Sequence, residues 1–265
     1  MNKAGKMYDE LPFWSAPFGL KLLDYIDYKP NINAIDLGFG TGFPLIELAM
    51  RLGDNSMVYG IDILKDAFVK VEEKINNYGI KNIKLIEGSV ESIPLENNSV
   101  HLITSNNCIN NVQNIGKALN ECSRILNKDG QFILTMNLDK SMFEFYDTME
   151  NTLLELNLKS EIELMHKHIE QKRPPIDKII APMKQNFLIK DIVYDQFCYR
   201  FTDGTALLNH NFIKAAFLES WKNILPEDRI NEIFKIVENK LNELSKELNG
   251  IKLSIPFVLI NGIKK

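Results

Sequence analysis

The sequence predicts an α/β fold, a doubly wound and mostly parallel sheet of seven strands with helices on its faces. Three observations carry this. Short apolar runs alternate with amphipathic helical segments between residues 32 and 138. A glycine-rich turn, Asp36-Leu37-Gly38-Phe39-Gly40-Thr41-Gly42, follows the first of these runs and opens a helix. Two later runs, Asp191–Phe201 and Leu253–Ile263, flank a long helical insertion.

The elements follow in order. Asn33–Leu37 reads as a buried strand that ends at the glycines. Pro44 sits in the first turn of the next helix, where the missing N–H has no intrahelical partner to lose. That helix runs to about Leu52 and stops at Gly53. Met57–Ile61 is the second strand. Leu64, Phe68, Val71, Ile75 and Tyr78 then fall at spacings of four and three, which places them on one helical face, and Gly79 is the expected C-cap. Ile83–Ile86 and Val100–Thr104 are the third and fourth strands. Val112, Ile115, Leu119, Cys122 and Leu126 line another helix closed by Asp129-Gly130, and Gln131–Met136 is the fifth strand. Residues 142–172 read as mostly helical up to the break at Pro174-Pro175. In the late insertion Ile213, Phe217, Trp221 and Ile224 share a face, as do Ile230, Phe234, Val237, Leu241, Leu244 and Leu248. With no repeat and no low-complexity linker, residues 1–265 are expected to form a single domain. It would comprise an N-terminal segment over 1–31, a core over 32–138, and a C-terminal half over 139–265 with a helical lid at about 202–250.

Composition narrows the function. Hydrophobic residues make up 45% of the chain and charged ones 25%, a balance that supports a sizeable core. The net charge of -4, with both signs mixed along the chain, offers no basic stripe for a phosphate backbone, so a nucleic-acid partner is not expected. No apolar run reaches bilayer length and no signal-peptide core follows Met1, so no membrane partner and a cytoplasmic address are expected. Cys108, Cys122 and Cys198 form neither a CxxC pair nor a zinc spacing, so neither a disulfide framework nor a metal is expected.

The chemistry sits in the glycine turn. Glycines there adopt torsions closed to other residues and let a ligand approach the main chain. The spacing is G-x-G-x-G rather than the G-x-G-x-x-G of dinucleotide sites, which disfavours an NAD-dependent oxidoreductase. Asp62 ends the second strand about 20 residues downstream. Adjacent parallel strands end side by side, so it should face the turn and accept both hydroxyls of a ribose.

In these residues the chain resembles the class I S-adenosylmethionine-dependent methyltransferases, in particular the small-molecule branch that includes the ubiquinone/menaquinone-type enzymes. Asp36, Gly38, Gly40 and Gly42 match that family's acidic-x-G-x-G-x-G motif in full, and Asp62 matches its second acidic position. Where the family usually reads Gly-Asp-Ala-Glu-x-Leu-Pro, this chain has Gly88-Ser89-Val90-Glu91-Ser92-Ile93-Pro94. His101 stands at the second position of the fourth strand, usually Asp in the family. The resemblance is strong over residues 32–138 and looser from 173 onward.

It implies a Rossmann-like fold and S-adenosyl-L-methionine as cofactor, with S-adenosyl-L-homocysteine as product. It further implies a small-molecule acceptor with an oxygen, nitrogen or carbon nucleophile. Cofactor contacts are expected from Asp36, Gly38, Gly40, Gly42, Asp62, Ile63, Ser89, Val90 and Asn106, with Ser89 and Val90 bordering the adenine. In-line displacement from a sulfonium needs positioning and exclusion of water more than it needs a base.

Specificity then falls to two regions. Tyr8–Phe18 carries four aromatics and suits a flap, with Trp14 the candidate substrate contact. Tyr199 and Trp221 are the candidates in and beside the late insertion, and His210 is the candidate base. His166 and His168 lie two apart on a helix and point to different faces. Arsenite methyl transfer, suggested by Ser105-Asn106-Asn107-Cys108-Ile109-Asn110, needs a thiolate upstream of the glycine turn, and this chain has no cysteine before Cys108. A non-catalytic S-adenosylmethionine-binding protein is the alternative reading. The chain is expected to be a monomer or homodimer.

Overall fold

A computed structural model describes residues 12–265, and divides the chain into two compact units. The first comprises residues up to Asn137, Pro175–Asp195 and Phe257–Lys265; the second comprises Leu138–Pro174 and Gln196–Pro256. The part of the N-terminal flap before Pro12, Tyr8 included, lies outside the described residues.

In the first unit α1 (Pro12–Asp24) precedes the alternating series. That series is β1 (Asn33–Leu37), α2 (Leu45–Leu52), β2 (Met57–Asp62), α3 (Lys65–Tyr78) and β3 (Ile83–Glu87), then β4 (Val100–Asn106), α4 (Ile115–Ile125) and β5 (Leu126–Asn137). It is completed by α7 (Asp177–Asn186) and by parts of β6 (Phe187–Phe201) and β7 (Ile251–Lys264). The seven-stranded sheet runs β3-β2-β1-β4-β5-β7-β6. The pairs from β3 to β5 are parallel, and β7 lies antiparallel to β5. This is the α/β, Rossmann-like order expected, with the chain reversing direction across the sheet between β1 and β4.

Strand alternation sorts the core into two layers. Ala34, Val58, Leu102, Ile133 and Leu259 pack with Leu22 and Leu23 of α1, Leu45 and Leu48 of α2, and Val71 of α3. On the opposite face Phe132 meets Phe187, and Gly262 comes against Met183 of α7, where an added Cβ would lie 3.0 Å from the Met183 side chain. Trp14 and Phe18 of α1 meet edge to face, and Phe18 continues onto Phe257.

The second unit holds α5 (Phe143–Glu155), α6 (Lys159–Lys172), α8 (Gly204–Asn209), a helical stretch over 211–222 with a π-turn at Lys214–Leu218, and α9 (Ile230–Leu248). Its centre is Trp221, fully buried, stacked 3.8 Å from Phe145 and 5.7 Å from Phe217. Glu144 receives the Ser254 amide and hydroxyl, which ties α5 to β7.

Three sequence expectations shift. β5 begins five residues early, at Leu126, because residues 127–130 bulge out: Val100 pairs with Leu126, but Leu102 already pairs with Gln131. Asp129, at φ 60, therefore turns a bulge rather than closing a helix. In α9 the buried stripe is Ile233, Val237, Leu241 and Ser245, while Leu248 is exposed. In α3, Leu64 and Tyr78 are exposed, and only the middle of the predicted face is covered.

A polar clamp fixes the end of α2. The buried Asn82 amide donates to the carbonyls of Ala49 and Gly53, at 3.0 and 2.9 Å. Helix C-termini leave such carbonyls without intrahelical donors. Asn82→Ala is expected to lower the unfolding free energy by about 2 kcal/mol in denaturant titration. An unchanged midpoint would show that the helix end does not depend on this side chain.

Candidate functional site

The glycine turn is built by the sheet beneath it. β1 lies between β2 and β4, so Asp36 stands opposite Gly60 on one side and Thr104 on the other. Gly60 is required there: a Cβ would meet Leu45 and Phe39 at 2.6 and 2.9 Å. The Gly38 amide donates to the Ile61 carbonyl at 2.8 Å and starts the turn, and Phe39 buries its ring edge-on against Phe68.

The turn glycines have left-handed φ values of 68, 51 and 102° at Gly38, Gly40 and Gly42. Their surroundings differ. A Cβ at Gly38 would lie 2.6 Å from the Cys108 sulfur, and one at Gly42 would press on Ile46 and Val71. A Cβ at Gly40 would meet nothing within 4 Å. Two glycines thus serve close packing, and the third leaves an open face on the turn.

Asp62 closes the rim of that face. Its Oδ2 accepts the Gly40 amide at 2.8 Å and its Oδ1 the Leu64 amide at 2.9 Å. Ile63 and Leu64, immediately after it, are 67% and 59% exposed, leaving an apolar surface beside the carboxylate. The Gly88 amide donates to the Asp62 carbonyl, which brings the β3 loop to the same edge. In that loop Ser89 is exposed, its hydroxyl accepting the Glu91 amide, while Val90 is buried. Glu91 in turn accepts the amides of Gln113 and Asn114 and so joins the β3 and β4 loops.

Asp36 is fully buried, and its Oδ1 accepts the Thr104 hydroxyl at 2.6 Å. Oδ2 has no well-formed hydrogen bond. Burial pushes its pKa up to about 7, with the Asp62 charge adding to the rise; the Thr104 hydroxyl and, more weakly, the Leu45 amide pull against it. Cys108 lies behind the turn, and burial with the charges of Asp62 and Asp36 pushes its thiol up to about 12. It is therefore a packing residue at neutral pH, not a thiolate.

The structure brings Asp36, Gly38, Gly40, Gly42, Asp62 and Ile63 together at the carboxyl end of the sheet, with Ser89 and Val90 in the adjoining loop. Asn106 turns inward instead: its amide donates to the Ser15 carbonyl and its oxygen accepts the Thr135 hydroxyl. Next to it, Asn107 at φ 58 holds the Asn137 amide through Oδ1, while its buried Nδ2 has no partner among the described residues. Trp14, half-buried, belongs to the first unit. Tyr199, His210 and Trp221 belong to the second. There His210 is exposed, its ring against Phe201; Trp221 is core, its Nε1 donating to the Tyr146 hydroxyl at 3.0 Å; Tyr199 is half-buried beside Phe212.

Sequence reasoning missed Thr104, Gly60 and Asn107. The signal for Thr104 was a hydroxyl inside an otherwise apolar strand; Gly60 is one residue in a strand that reads normally without it. Among the described residues no group of His, Cys, Asp or Glu is clustered to hold a metal ion, and no helix is long and apolar enough to cross a membrane.

Comparison with known proteins bears on the family and the fold. The family model for the methyltransferase domain matches residues 28–174. Demethylmenaquinone methyltransferase of Bacillus mycoides is 28% identical over 120 residues, which cover 45% of this chain and 51% of that protein. The Bacillus cytotoxicus enzyme of the same name is 27% identical over the same length. The chain thus spans about half the length of the curated relatives it matches. Among solved structures, the YcgJ protein of Bacillus subtilis aligns with a TM-score of 0.60 at 18% identity, covering 94% of this chain and 98% of that one. Geranyl diphosphate C-methyltransferase of Streptomyces coelicolor A3(2) aligns at 0.57 and 14%, covering 94% and 76%. At such identities these likenesses show the shared fold.

The buried carboxyl gives a pH test. Its folded pKa of about 7 lies above the usual carboxylate value of 3.8. Between those values the folded chain keeps a proton that the unfolded chain has released. Stability should therefore fall as pH rises through this window, by on the order of 4 kcal/mol from this group. Asp36→Asn keeps an acceptor for Thr104 and should flatten that slope in denaturant titrations from pH 4 to 7. The same slope in both proteins would show that Asp36 is ionised throughout.

Proposed function

The chain belongs to the methyltransferase domain family, and from that premise we propose that it transfers a methyl group from S-adenosyl-L-methionine to a small organic acceptor. The observation that carries this is the open face at Gly40, rimmed by Asp62 and flanked by exposed Ile63 and Leu64. The face fits the donor. Each Asp62 oxygen already takes one backbone amide and keeps a lone pair, which suits the two O–H donors of a ribose. Ile63 offers apolar surface for a purine ring, and Ser89 and Val90 border the same edge. Gly40 lets the methionine end approach the main chain without a side chain between, while Gly38 and Gly42 let the turn pack against Cys108, Ile46 and Val71. Asp36, buried with an unfilled oxygen, favours a positive group nearby through its ionised form.

When bound, S-adenosylmethionine supplies an electrophilic methyl group on a sulfonium. The protein's residues then have to position the reactants and keep water out. The turn is prepared for this before any ligand arrives, because Asp62 fixes Gly40 and Cys108 backs Gly38. Trp14 in the first unit, and separately Tyr199 and Trp221 in the second, are the proposed substrate contacts, Trp221 acting only through the core that it fills. His210, exposed, is the proposed base where the acceptor must lose a proton. Under this reading the protein works in the cytoplasm as a monomer or homodimer on a small molecule.

Calorimetry tests the reading. S-adenosylmethionine should bind saturably and NADH should not; the reverse result would overturn it. Asp62→Ala should weaken cofactor binding by roughly 2–4 kcal/mol, about 30- to 1,000-fold, because charge-assisted contacts to the ribose are lost. An unchanged dissociation constant would remove Asp62 from the site.

A further inference from the structure

The second unit contains a buried cation whose hydrogen-bonding capacity is only partly met. Arg173 is 3% exposed, yet its Nε and Nη1 are buried and find no acceptor among the described residues. Arginine cannot shed its charge, so burial without acceptors is among the costliest arrangements open to a side chain. One compensation is visible: the guanidinium lies over the Tyr146 ring, 5.1 Å from its centroid. Tyr146 is itself fixed, because its hydroxyl accepts the Trp221 indole N–H and its ring meets Phe145 and Trp221 edge to face. The cation thus sits on a rigid aromatic floor.

A helix-capping role does not account for it. Arg173 follows α6, and its main-chain amide donates to the Ile169 carbonyl, but its side chain is not used there. The charge is felt nearby: the pKa of His168 is lowered, first by burial and then by Arg173 and Lys172.

We infer that Arg173 anchors an oxyanion, a carboxylate or a phosphate, of a small molecule bound in the second unit. This site does not rest on the methyl-transfer reading. A guanidinium presents planar N–H pairs that match either group, and one already desolvated and held over an aromatic ring loses little order when an anion binds it. An arrangement that is costly when empty is satisfied when the anion arrives.

The test uses the whole chain without cofactor, and titrates benzoate and inorganic phosphate separately, read by tryptophan fluorescence and by the His168 imidazole resonances. At least one probe should bind saturably and raise the His168 pKa, because the anion offsets the Arg173 charge. Benzoate alone would assign a carboxylate ligand, and phosphate alone a phosphorylated one. Arg173→Met should weaken binding at least about tenfold. The same variant should melt a few degrees higher, since it removes an unpaired buried charge at little cost in volume. Arg173→Lys should bind more weakly than the parent and better than the Met variant. Neither probe binding, equal binding by parent and Met variant, or a Met variant that melts lower or does not fold would each overturn the inference. S-adenosylmethionine affinity of the Met variant should match the parent. A parent chain that binds the anion but no S-adenosylmethionine would sink the methyl-transfer reading alone.

Discussion

The Asp62 carboxylate is the interaction on which the rest of the first unit's chemistry depends. By accepting the Gly40 and Leu64 amides it joins the loop after β1 to the loop after β2. Hydrogen bonds to a charged acceptor are the stronger kind, about 1.5–3 kcal/mol each. That is enough to hold a turn whose glycines sit in left-handed conformations. The same charge acts on Asp36. It opposes ionisation of a carboxyl already penalised by burial, so the Asp36 pKa rises to about 7. Environment assigns the roles of the two acids: Asp62 is a hydrogen-bond acceptor at the rim, Asp36 a poised group beneath the turn.

Parallel pairing makes this arrangement possible. With β1 between β2 and β4, the ends of the strands and their following loops gather at one edge of the sheet. Side chains that are 26 residues apart, such as Asp36 and Asp62, or 68 apart, such as Asp36 and Thr104, meet without any local sequence signal. The close approach of Gly38 to Cys108 is of the same kind. It explains why a short alternating sequence, once paired, needs few further devices to build a ligand face.

What the sequence made legible follows from period and punctuation. Strands β1 to β4, the helices α2 and α3 between them, the cap at Gly79 and the spacing of the glycine turn are local patterns, and each appears within a few residues of where it was expected. What was not legible depends on partners. The phase of α9 is set by what it packs on, so its buried stripe centres on Ile233 and Val237 instead of Ile230 and Phe234. The bulge before Gln131 reflects register with β4. Asn106 was read as a ligand contact from its position at the end of β4, but its amide is engaged by Ser15 and Thr135, which periodicity does not reveal. Aromatic density was equally ambiguous: Trp221 satisfies the pattern of a pocket residue and lies in the middle of a core.

Among the described residues, two buried acidic or basic side chains break the rule that buried polar groups are satisfied. Asp36 in the first unit and Arg173 in the second are both enclosed, both lack partners for part of their polar atoms, and neither is needed to complete a helix or a strand. Such groups lower stability, and substitution by an uncharged residue of similar shape would relieve the cost. Local sequence cannot show this, since an aspartate in a strand and an arginine before Pro174-Pro175 are both unremarkable as letters. Their burial turns them into statements about charge: the first site favours a positive group and the second a negative one. A fold selected for stability alone would carry neither, and under the two proposed readings each is where this chain gives up stability for binding.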